Sequence, residues 1–294
     1  MQNIEQIRML VLSAELGSFS ACARRLGKVQ SAVSHGINSL EIDLDVVLFD
    51  RSSRKPKLTP AGERLYRSAK ALLAQSAEFE LIAQSINRAE EDCLRIGLDD
   101  GLLTPAVQQI LADFACQFPY TQLDLVTLPS SDIVPALQQG QLSLGLMLTE
   151  VASFKEVDFS YIGQVHMIPM CHIDHPLAKK MAIAETDLYP HRQISQRSFK
   201  KVEPALMLSM SPSVWWCSST LAAISLIEQN IGWGYVPKHL AELSMRNGSL
   251  VKINTRFDQK TWAVPVDLVW MRGTAIGPGM QWLQNAFKSA FSSK

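Results

Sequence analysis

The stretch GSFSACARRLGKVQSAVSHGINSLE, residues 17–41, contains two helical patterns separated by a glycine turn. Ser18 is a good helix N-cap residue, and apolar side chains recur at helical spacing after it. Gly27 permits a tight turn, and a second helical pattern then covers 30–41. Because Ala23 is small, two helices can cross closely beside it. The stretch therefore predicts a helix-turn-helix.

The second helix has an apolar face and an opposite polar face without any acidic side chain. Val33, Ile37 and Leu40 are predicted to point inward. An outward polar helix can enter a DNA major groove about 12 Å wide, where Gln and Asn pair with adenine and His or Ser binds base edges. We predict DNA binding by this face; the alternative is a solvated helix with a structural role only. The predicted contact residues are Gln30, Ser31, Ser34, His35 and Asn38.

The segments on either side of this motif extend the pattern. Asn3 and Gln6 form a plausible capping pair for a preceding helix. The basic segment 48–59 contains a proline and small polar residues, which predicts a β-wing, although alone it would pass for an exposed loop. Positive side chains on a wing neutralise DNA phosphates and add salt-dependent affinity. The four candidates are Arg51, Arg54, Lys55 and Lys57.

A long helix is predicted from the Thr59 cap and the Pro60 that follows it. Large residues then recur every seven positions, with small residues four positions after the first three, which is a heptad pattern. We infer a homodimer through this seam; the alternative is a helix that packs onto its own domain. The large positions are Leu65, Leu72, Phe79 and Ile86, and the small ones are Ala69, Ser76 and Ala83.

Beyond residue 90 the pattern changes to alternating strands and helices, which is typical of open parallel α/β sheets. Strands are predicted over 93–98, 122–128, 142–148, 165–171, 232–236 and 266–270. Helices are predicted over 106–116, 132–139, 219–229, after Pro237 and over 280–291.

Length, composition and charge distribution limit the classes of protein to which this chain can belong. The chain has 294 residues, 47% of them hydrophobic, so it can bury a substantial core. Its net charge is zero, but residues 1–75 carry eleven Lys/Arg against seven Asp/Glu, and residues 76–150 carry two against eleven. This indicates that only the N-terminal part meets a polyanion, although simple drift of surface charge gives the same pattern. Without a leader-like start or a long apolar run, we expect a cytoplasmic protein that does not enter membranes.

The sequence offers little support for metal binding or catalysis. Its five cysteines are scattered and never form a CxxC, which argues against a disulfide framework or a zinc knuckle. The metal-capable cluster Cys171, His172, Asp174 and His175 lies at a strand end where the side chains do not converge, so a structural role is predicted. The phosphate-loop, GxSxG and dinucleotide fingerprints do not occur. We predict no enzymatic activity, no cofactor and no metal site.

Over essentially its whole length the chain resembles the LysR-type transcriptional regulators. The resemblance is strong in the N-terminal motifs and weaker in the later ones. The N-terminal motifs are Gly17-Ser18-Phe19-Ser20, Ala23-Arg24-Arg25-Leu26, Gln30-Ser31-Ala32-Val33-Ser34, Leu48-Phe49-Asp50-Arg51 and Leu58-Thr59-Pro60-Ala61-Gly62. The later motifs are Leu94-Arg95-Ile96-Gly97, His175-Pro176-Leu177-Ala178 and Gly232-Trp233-Gly234-Tyr235-Val236-Pro237.

The resemblance implies a domain order and a function. It implies a winged helix-turn-helix over 1–58, a linker helix over 59–89 and a two-subdomain, periplasmic-binding-protein-like α/β effector domain over 90–294. Subdomain I is predicted to comprise 90–160 and 266–294, and subdomain II 161–265. The implied function is regulation of promoter DNA by a homodimer or homotetramer that responds to a small-molecule effector. The alternatives are a small-molecule-binding protein or enzyme with an accessory helical head, and an oligomeric scaffold.

The sequence departs from the family pattern at four positions. Val29 stands where the family usually has a capping Ser or Thr, and Gly36 interrupts the recognition helix, each at a cost of about 1 kcal/mol. Asp99 and Asp100 stand where many relatives have Ser or Thr beside a carboxylate ligand. Two acids would repel an anion, so we predict a cationic or neutral effector; the alternative is that both only cap a helix in solvent. The other predicted effector residues are Ser130, Thr149 and Gln196.

Overall fold

The structure is a computed structural model that describes residues 3–52, 55–150, 155–198, 209–258 and 260–291. The chain forms two compact units, Met1–Arg88 and Ala89–Lys294, which we call the N-terminal and C-terminal units. No helix in the described ranges is sufficiently long and apolar to cross a lipid bilayer.

The N-terminal unit is a winged helix-turn-helix followed by a long helix. The predicted caps are confirmed: side chains of Asn3, Ser18 and Thr59 each accept a hydrogen bond from the first turn of a helix. Its elements are α1 (Ile4–Leu16), α2 (Phe19–Leu26), α3 (Gln30–Leu44), β1 (Phe49–Asp50), β2 (Lys57–Leu58) and α4 (Pro60–Asn87). Helix α3 ends three residues later than predicted, and β1 and β2 pair antiparallel as the predicted wing.

One close backbone contact joins the wing to the start of α4. A Cβ atom on Gly62 would lie 2.1 Å from the carbonyl oxygen of Leu48, which is far inside van der Waals contact. Thr59 fixes the same junction, because its hydroxyl donates to the Val47 carbonyl at 2.7 Å. The first turn of α4 therefore packs directly against the wing, and only glycine fits at this position.

The C-terminal unit is built on one mixed sheet. Its strands are β3 (Cys93–Leu98), β4 (Gln122–Thr127), β5 (Leu144–Leu148), β6 (Val157–His172), β7 (Gln193–Gln196), β8 (Val214–Cys217), β9 (Trp233–Pro237), β10 (Leu250–Lys252) and β11 (Trp262–Met271). Its helices are α5 (Pro105–Gln117), α6 (Ser130–Gln138), α7 (Glu185–Leu188), α8 (Thr220–Glu228), α9 (Lys238–Arg246) and α10 (Pro278–Ala290).

Two long strands run through the centre of this sheet. The strand order is β4-β3-β5-β11-β6-β9-β7-β8, and β10 pairs with β6. The pairs β3–β4 and β3–β5 are parallel, as the sequence pattern predicted. The pairs β7–β8 and β7–β9 are also parallel, but β11 runs antiparallel to both β5 and β6. The sheet is therefore mixed: a group of parallel strands lies at each end, and β11 and β6 pair antiparallel between them. The proposed subdomain boundaries, at 160/161 and 265/266, fall inside β6 and β11 and stay a prediction.

Helices cover both faces of the sheet. Helices α5 and α10 pack on one face through Phe114 and Phe287, whereas α6 packs on the other through Ile133 and Leu137. Helix α8 covers the strands at the β7–β9 end. This layering leaves the carboxyl ends of β3 and β7 and the N-terminus of α8 as the places where polar side chains gather.

Candidate nucleic-acid interface and ligand site

The outward face of α3 carries the predicted DNA contacts. Gln30, Ser31, His35 and Asn38 are exposed and Ser34 is half-buried. On the opposite face Val33, Ile37 and Leu40 are almost completely buried in the core of the N-terminal unit. The face therefore presents amide, hydroxyl and imidazole groups to solvent, as the spacing predicted.

The turn before α3 sets the direction of this face. Gly27 adopts a left-handed conformation with φ 66°, which a side chain would disfavour. The backbone N–H of Lys28 donates to the Ala23 carbonyl at 2.9 Å, and the Ala23 side chain is buried in the core of the N-terminal unit. These local contacts produce the compact bend between α2 and α3 that the helix-turn-helix requires.

Val29 and Gly36 behave differently from each other in the structure. Val29 occupies the N-cap of α3 with extended backbone and makes no side-chain cap hydrogen bond, as predicted. Gly36 is buried, and a Cβ atom there would lie 2.5 Å from the Met9 sulfur. The glycine therefore leaves space for the Met9 side chain of α1 against α3.

Glu41 connects α3 to the wing, a role that sequence reasoning missed. Its Oε1 atom accepts hydrogen bonds from the backbone N–H groups of Leu48 at 2.7 Å and Phe49 at 3.1 Å. Its Oε2 atom pairs with the Arg51 guanidinium at 2.8 Å. The guanidinium also lies 5.7 Å from the centre of the Phe19 ring. Glu41 thus fixes the start of the wing to the end of the recognition helix.

The wing contributes positive charge beside α3. Arg51, Lys55 and Lys57 are exposed. The Glu41 carboxylate partly neutralises the Arg51 guanidinium, so Arg51 is less available to a DNA phosphate than an unpaired arginine would be. The fourth candidate, Arg54, lies outside the described residues.

Asp99 is the buried centre of a polar cluster at the end of β3. Its side chain is only 1% exposed, and its Oδ1 atom accepts from the Gly101 backbone N–H at 3.0 Å. Its Oδ2 atom accepts from the backbone N–H of Ser130 at 3.0 Å and from the Ser130 hydroxyl at 2.7 Å. The Ser130 oxygen in turn accepts from the Leu148 N–H at 2.9 Å. Burial raises the pKa of the Asp99 carboxyl.

Asp100 reaches the N-terminus of α8. Its Oδ2 atom accepts from the Ser219 hydroxyl at 2.5 Å, and its Oδ1 atom accepts from the Thr220 backbone N–H at 3.0 Å. The Thr220 hydroxyl donates to Gln196 Oε1 at 3.3 Å. Both aspartates therefore cap helical turns, as the alternative interpretation held, but in a buried or half-buried setting rather than in solvent.

The predicted effector residues divide into three groups. Asp99 bonds directly to Ser130, and Asp100 connects through Thr220 to Gln196. Thr149 shares none of these hydrogen bonds and lines a small cavity together with Met147 and Asp267.

Sequence reasoning missed another cavity in the C-terminal unit. A cavity of about 820 Å³ is lined by residues including Glu185, Tyr235, Asp258 and Trp262, and the Tyr235 hydroxyl donates to Asp258. Its lining residues come from four separate parts of the chain, near 185, 210, 235 and 257–263, so no local motif marks them. Two adjacent tryptophans also have cation–π contacts: Trp215 is half-exposed under Arg192, and Trp216 is partly buried under Arg197.

The cysteine–histidine cluster has structural contacts. The Nδ1 atom of His175 accepts from the Leu177 backbone N–H at 3.2 Å, which caps a short 3₁₀ turn. Burial raises the pKa of the Cys171 thiol to about 12, so the thiol is a poor metal ligand at neutral pH. No group of three or more His, Cys, Asp or Glu side chains suited to a metal ion occurs among the described residues.

A winged helix-turn-helix with an outward polar helix, joined in sequence to an α/β unit with a buried polar cluster, defines a DNA-binding regulator with a ligand-binding domain. Comparison of the sequence with models of known protein families supports this class. Residues 4–63 match the model for "Bacterial regulatory helix-turn-helix protein, lysR family", and residues 87–292 match that for "LysR substrate binding domain". The chain belongs to the LysR family of transcriptional regulators, and it is a DNA-binding regulator modulated by a small-molecule effector.

Individual relatives support this assignment. The chain is 30% identical over 291 residues to the HTH-type transcriptional regulator AceR of Acinetobacter baumannii, covering 96% of this chain and 95% of AceR. It is 28% identical to MetR of Escherichia coli over 259 residues, covering 85% and 80%. Its fold resembles the LysR-type regulator CrgA of Neisseria meningitidis, with TM-score 0.54, 19% identity and complete coverage of both chains. CbnR, another LysR family regulator, matches with TM-score 0.52 and 19% identity over 97% of this chain and 99% of CbnR.

Proposed function

We propose that this protein binds promoter DNA as a homodimer, with the outward face of α3 in the major groove and the wing on the flanking backbone. The observation that carries the proposal is the exposed, acid-free face of α3. Its contact residues are Gln30, Ser31, Ser34, His35 and Asn38, and the wing contributes Arg51, Lys55 and, from outside the described residues, Arg54.

Base reading and phosphate binding would come from different parts of this surface. The amides of Gln30 and Asn38 suit the bidentate pattern of adenine in the major groove, whereas the His35 imidazole suits a single base-edge acceptor or donor. Lys55 adds charge without sequence information, so it contributes affinity that falls steeply with salt. The expected binding is therefore both sequence-specific and strongly salt-dependent.

Fluorescence anisotropy on operator and scrambled DNA across a salt series tests this proposal. The double variant His35→Ala, Asn38→Ala should lose most of the operator preference and retain the salt-dependent binding to scrambled DNA. Gln84→Ala, on the exposed surface of α4, is the matched control. Equal operator preference in the double variant and the control would contradict the assigned role of α3.

The homodimer is proposed to form through the exposed apolar side of α4. Phe79 is 73% exposed and Ile86 is 68% exposed, whereas Leu65 and Ala69 pack inside their own unit. The first heptad thus stabilises the fold of a single chain, and the later heptads are left for a second copy. Two such copies would set the spacing of DNA half-sites. We also propose that two of these dimers pair to form a homotetramer.

The effector is proposed to be a cationic or neutral small molecule, bound near Asp99, Asp100, Ser130, Thr149 and Gln196. The negative charge of Asp100 supports this, because it disfavours an anion at the same place. Titration calorimetry with matched acids, amines and neutral molecules tests the charge preference, and tight binding of a dicarboxylate would contradict it. We further propose that the protein acts in the cytoplasm, by binding alone and without catalysis.

A further inference from the structure

A small cavity lies between three strands of the C-terminal unit, on the sheet face that α6 covers. Its volume is about 220 Å³. Met147, Val157 and Phe159 form apolar walls, and Thr149, Glu150 and Asp267 supply oxygen atoms. None of these residues takes part in the hydrogen bonds of Asp99 and Asp100.

The strand register explains why these side chains meet. Asp267 of β11 stands directly opposite Met147 of β5, so the two side chains share one face of the sheet. Thr149 follows two positions after Met147, and its backbone N–H donates to the Pro265 carbonyl at 2.9 Å. Alternation along the chain therefore places Thr149 diagonally across from Asp267.

The oxygen atoms in this cavity have no partner within the described residues. Asp267 is only 8% exposed, yet its carboxylate makes no hydrogen bond or ion pair there. The Thr149 hydroxyl and the Glu150 Oε1 atom are fully buried and also lack a hydrogen-bond partner among described groups. Buried polar groups in native proteins are nearly always satisfied, and buried carboxylates are usually paired with a cation.

We propose that this cavity binds a protonated primary amine on a short alkyl chain. The ammonium group has three N–H donors, which match the two carboxylates and the hydroxyl. The Met147, Val157 and Phe159 side chains accommodate the alkyl part. A metal ion fits less well, because the described residues include no cluster of three or more metal-binding side chains at this place.

The electrostatic environment of Glu150 agrees with a cationic ligand. The pKa of the Glu150 carboxyl is raised, mainly by burial and to a smaller extent by the negative charge of Asp132. An ammonium group in the cavity would favour the carboxylate form. This proposal rests on the proposed effector-binding function of the C-terminal unit, because Thr149 is also one of the predicted effector residues. It adds the chemical class of the ligand and the cavity that binds it.

Titration calorimetry on the full-length protein with n-butylammonium chloride tests the site. We expect saturable binding of the amine, and none of n-butanol or of potassium or magnesium chloride at matched concentration. Asp267→Asn should weaken amine binding at least about tenfold, as loss of a hydrogen bond to a charged group does. Thr149→Val should weaken it severalfold, and Asp124→Asn, at an exposed position on β4, should leave it unchanged.

Folding and ligand binding can be separated in this experiment. Asp267→Asn removes an unpaired buried charge, so its Tm without amine should equal or exceed that of the parent. Glu150→Gln provides a second test if that variant fails to fold. Absence of amine binding, equal binding by either variant, or a response to the metal salts alone would overturn the site. Because the titration contains no DNA, its failure would leave the anisotropy result on α3 untouched.

Discussion

The Asp100 carboxylate accepts a hydrogen bond from the Ser219 hydroxyl at 2.5 Å, although 119 positions separate the two residues in sequence. The same carboxylate accepts from the Thr220 backbone N–H, so it caps α8 from outside the helix. The turn after β3 and the first turn of α8 are thereby held together at the polar cluster.

Replacing this carboxylate should loosen α8. Asp100→Asn keeps one acceptor for Thr220 but loses the charge that binds Ser219, so we expect a loss of about 1–2 kcal/mol in the free energy of unfolding. Urea denaturation measures the loss, and hydrogen exchange should increase at Thr220 and Leu221. Asp113→Asn, at an exposed position on α5, is the control, and equal stability of the two variants would contradict the capping role.

Glu41→Gln should destabilise the junction between α3 and the wing. The amide can replace only some of the hydrogen bonds to Leu48, Phe49 and Arg51, and it loses the ion pair. We expect a loss of about 1–3 kcal/mol in the free energy of unfolding and weaker operator binding. Chemical denaturation and anisotropy measure the two effects. Asp43→Asn changes an exposed acid on the same helix and should leave stability nearly unchanged.

Val29→Ser should stabilise the recognition helix. Val29 is 67% exposed and already has the extended backbone of an N-cap, so a serine hydroxyl can bind a free N–H of the first turn. The expected gain is about 1 kcal/mol in thermal or urea unfolding. Val29→Ala removes the same apolar surface without adding an acceptor. A gain of the same size in the alanine variant would contradict the capping explanation.

Phe79→Asp should separate the proposed homodimer. An aspartate on the exposed apolar side of α4 would face its own copy across the seam and repel it. Analytical ultracentrifugation should show monomers, and operator affinity should fall. Leu72→Asp should act in the same direction, whereas Ala71→Asp, at an exposed position off the heptad, should not. A dimeric Phe79→Asp protein would place the interface elsewhere.

The stability of the C-terminal unit should fall on mild acidification because of His175. Burial, followed by the neighbouring His191 and His172, lowers the pKa of His175 to about 4 from the 6.5 of a free side chain. Between these pH values the unfolded chain binds the proton and the folded chain does not, so stability decreases as pH falls from 6.5 towards 4.

His175→Asn should flatten this dependence. An asparagine oxygen can still accept from the Leu177 N–H, but the side chain does not titrate. The free energy of unfolding, measured by urea titration at successive pH values, should therefore change less in the variant. Some slope should remain, because burial also lowers the pKa of His191. An unchanged slope would contradict the role assigned to His175.

Features that depend on neighbouring residues could be predicted well. The caps at Asn3, Ser18 and Thr59 and the turn at Gly27 involve hydrogen bonds over two to five positions, so their signals lie within short windows. The outward face of α3 followed from helical spacing alone. The short strands β7 and β8, by contrast, were missed, because four residues are too few to show an alternating pattern.

Partners that are distant in the chain depended on the tertiary structure. The pairing of Asp100 with Ser219, the junction of Glu41 with the wing and the convergence of Thr149 with Asp267 are set by how helices and strands pack and by strand register. The sequence shows which residues carry a carboxylate. It does not show which carboxylate caps a helix, which pairs with an arginine and which stays without a partner. Local backbone geometry depends on adjacent residues, whereas burial and charge pairing depend on which segments the folded core brings together.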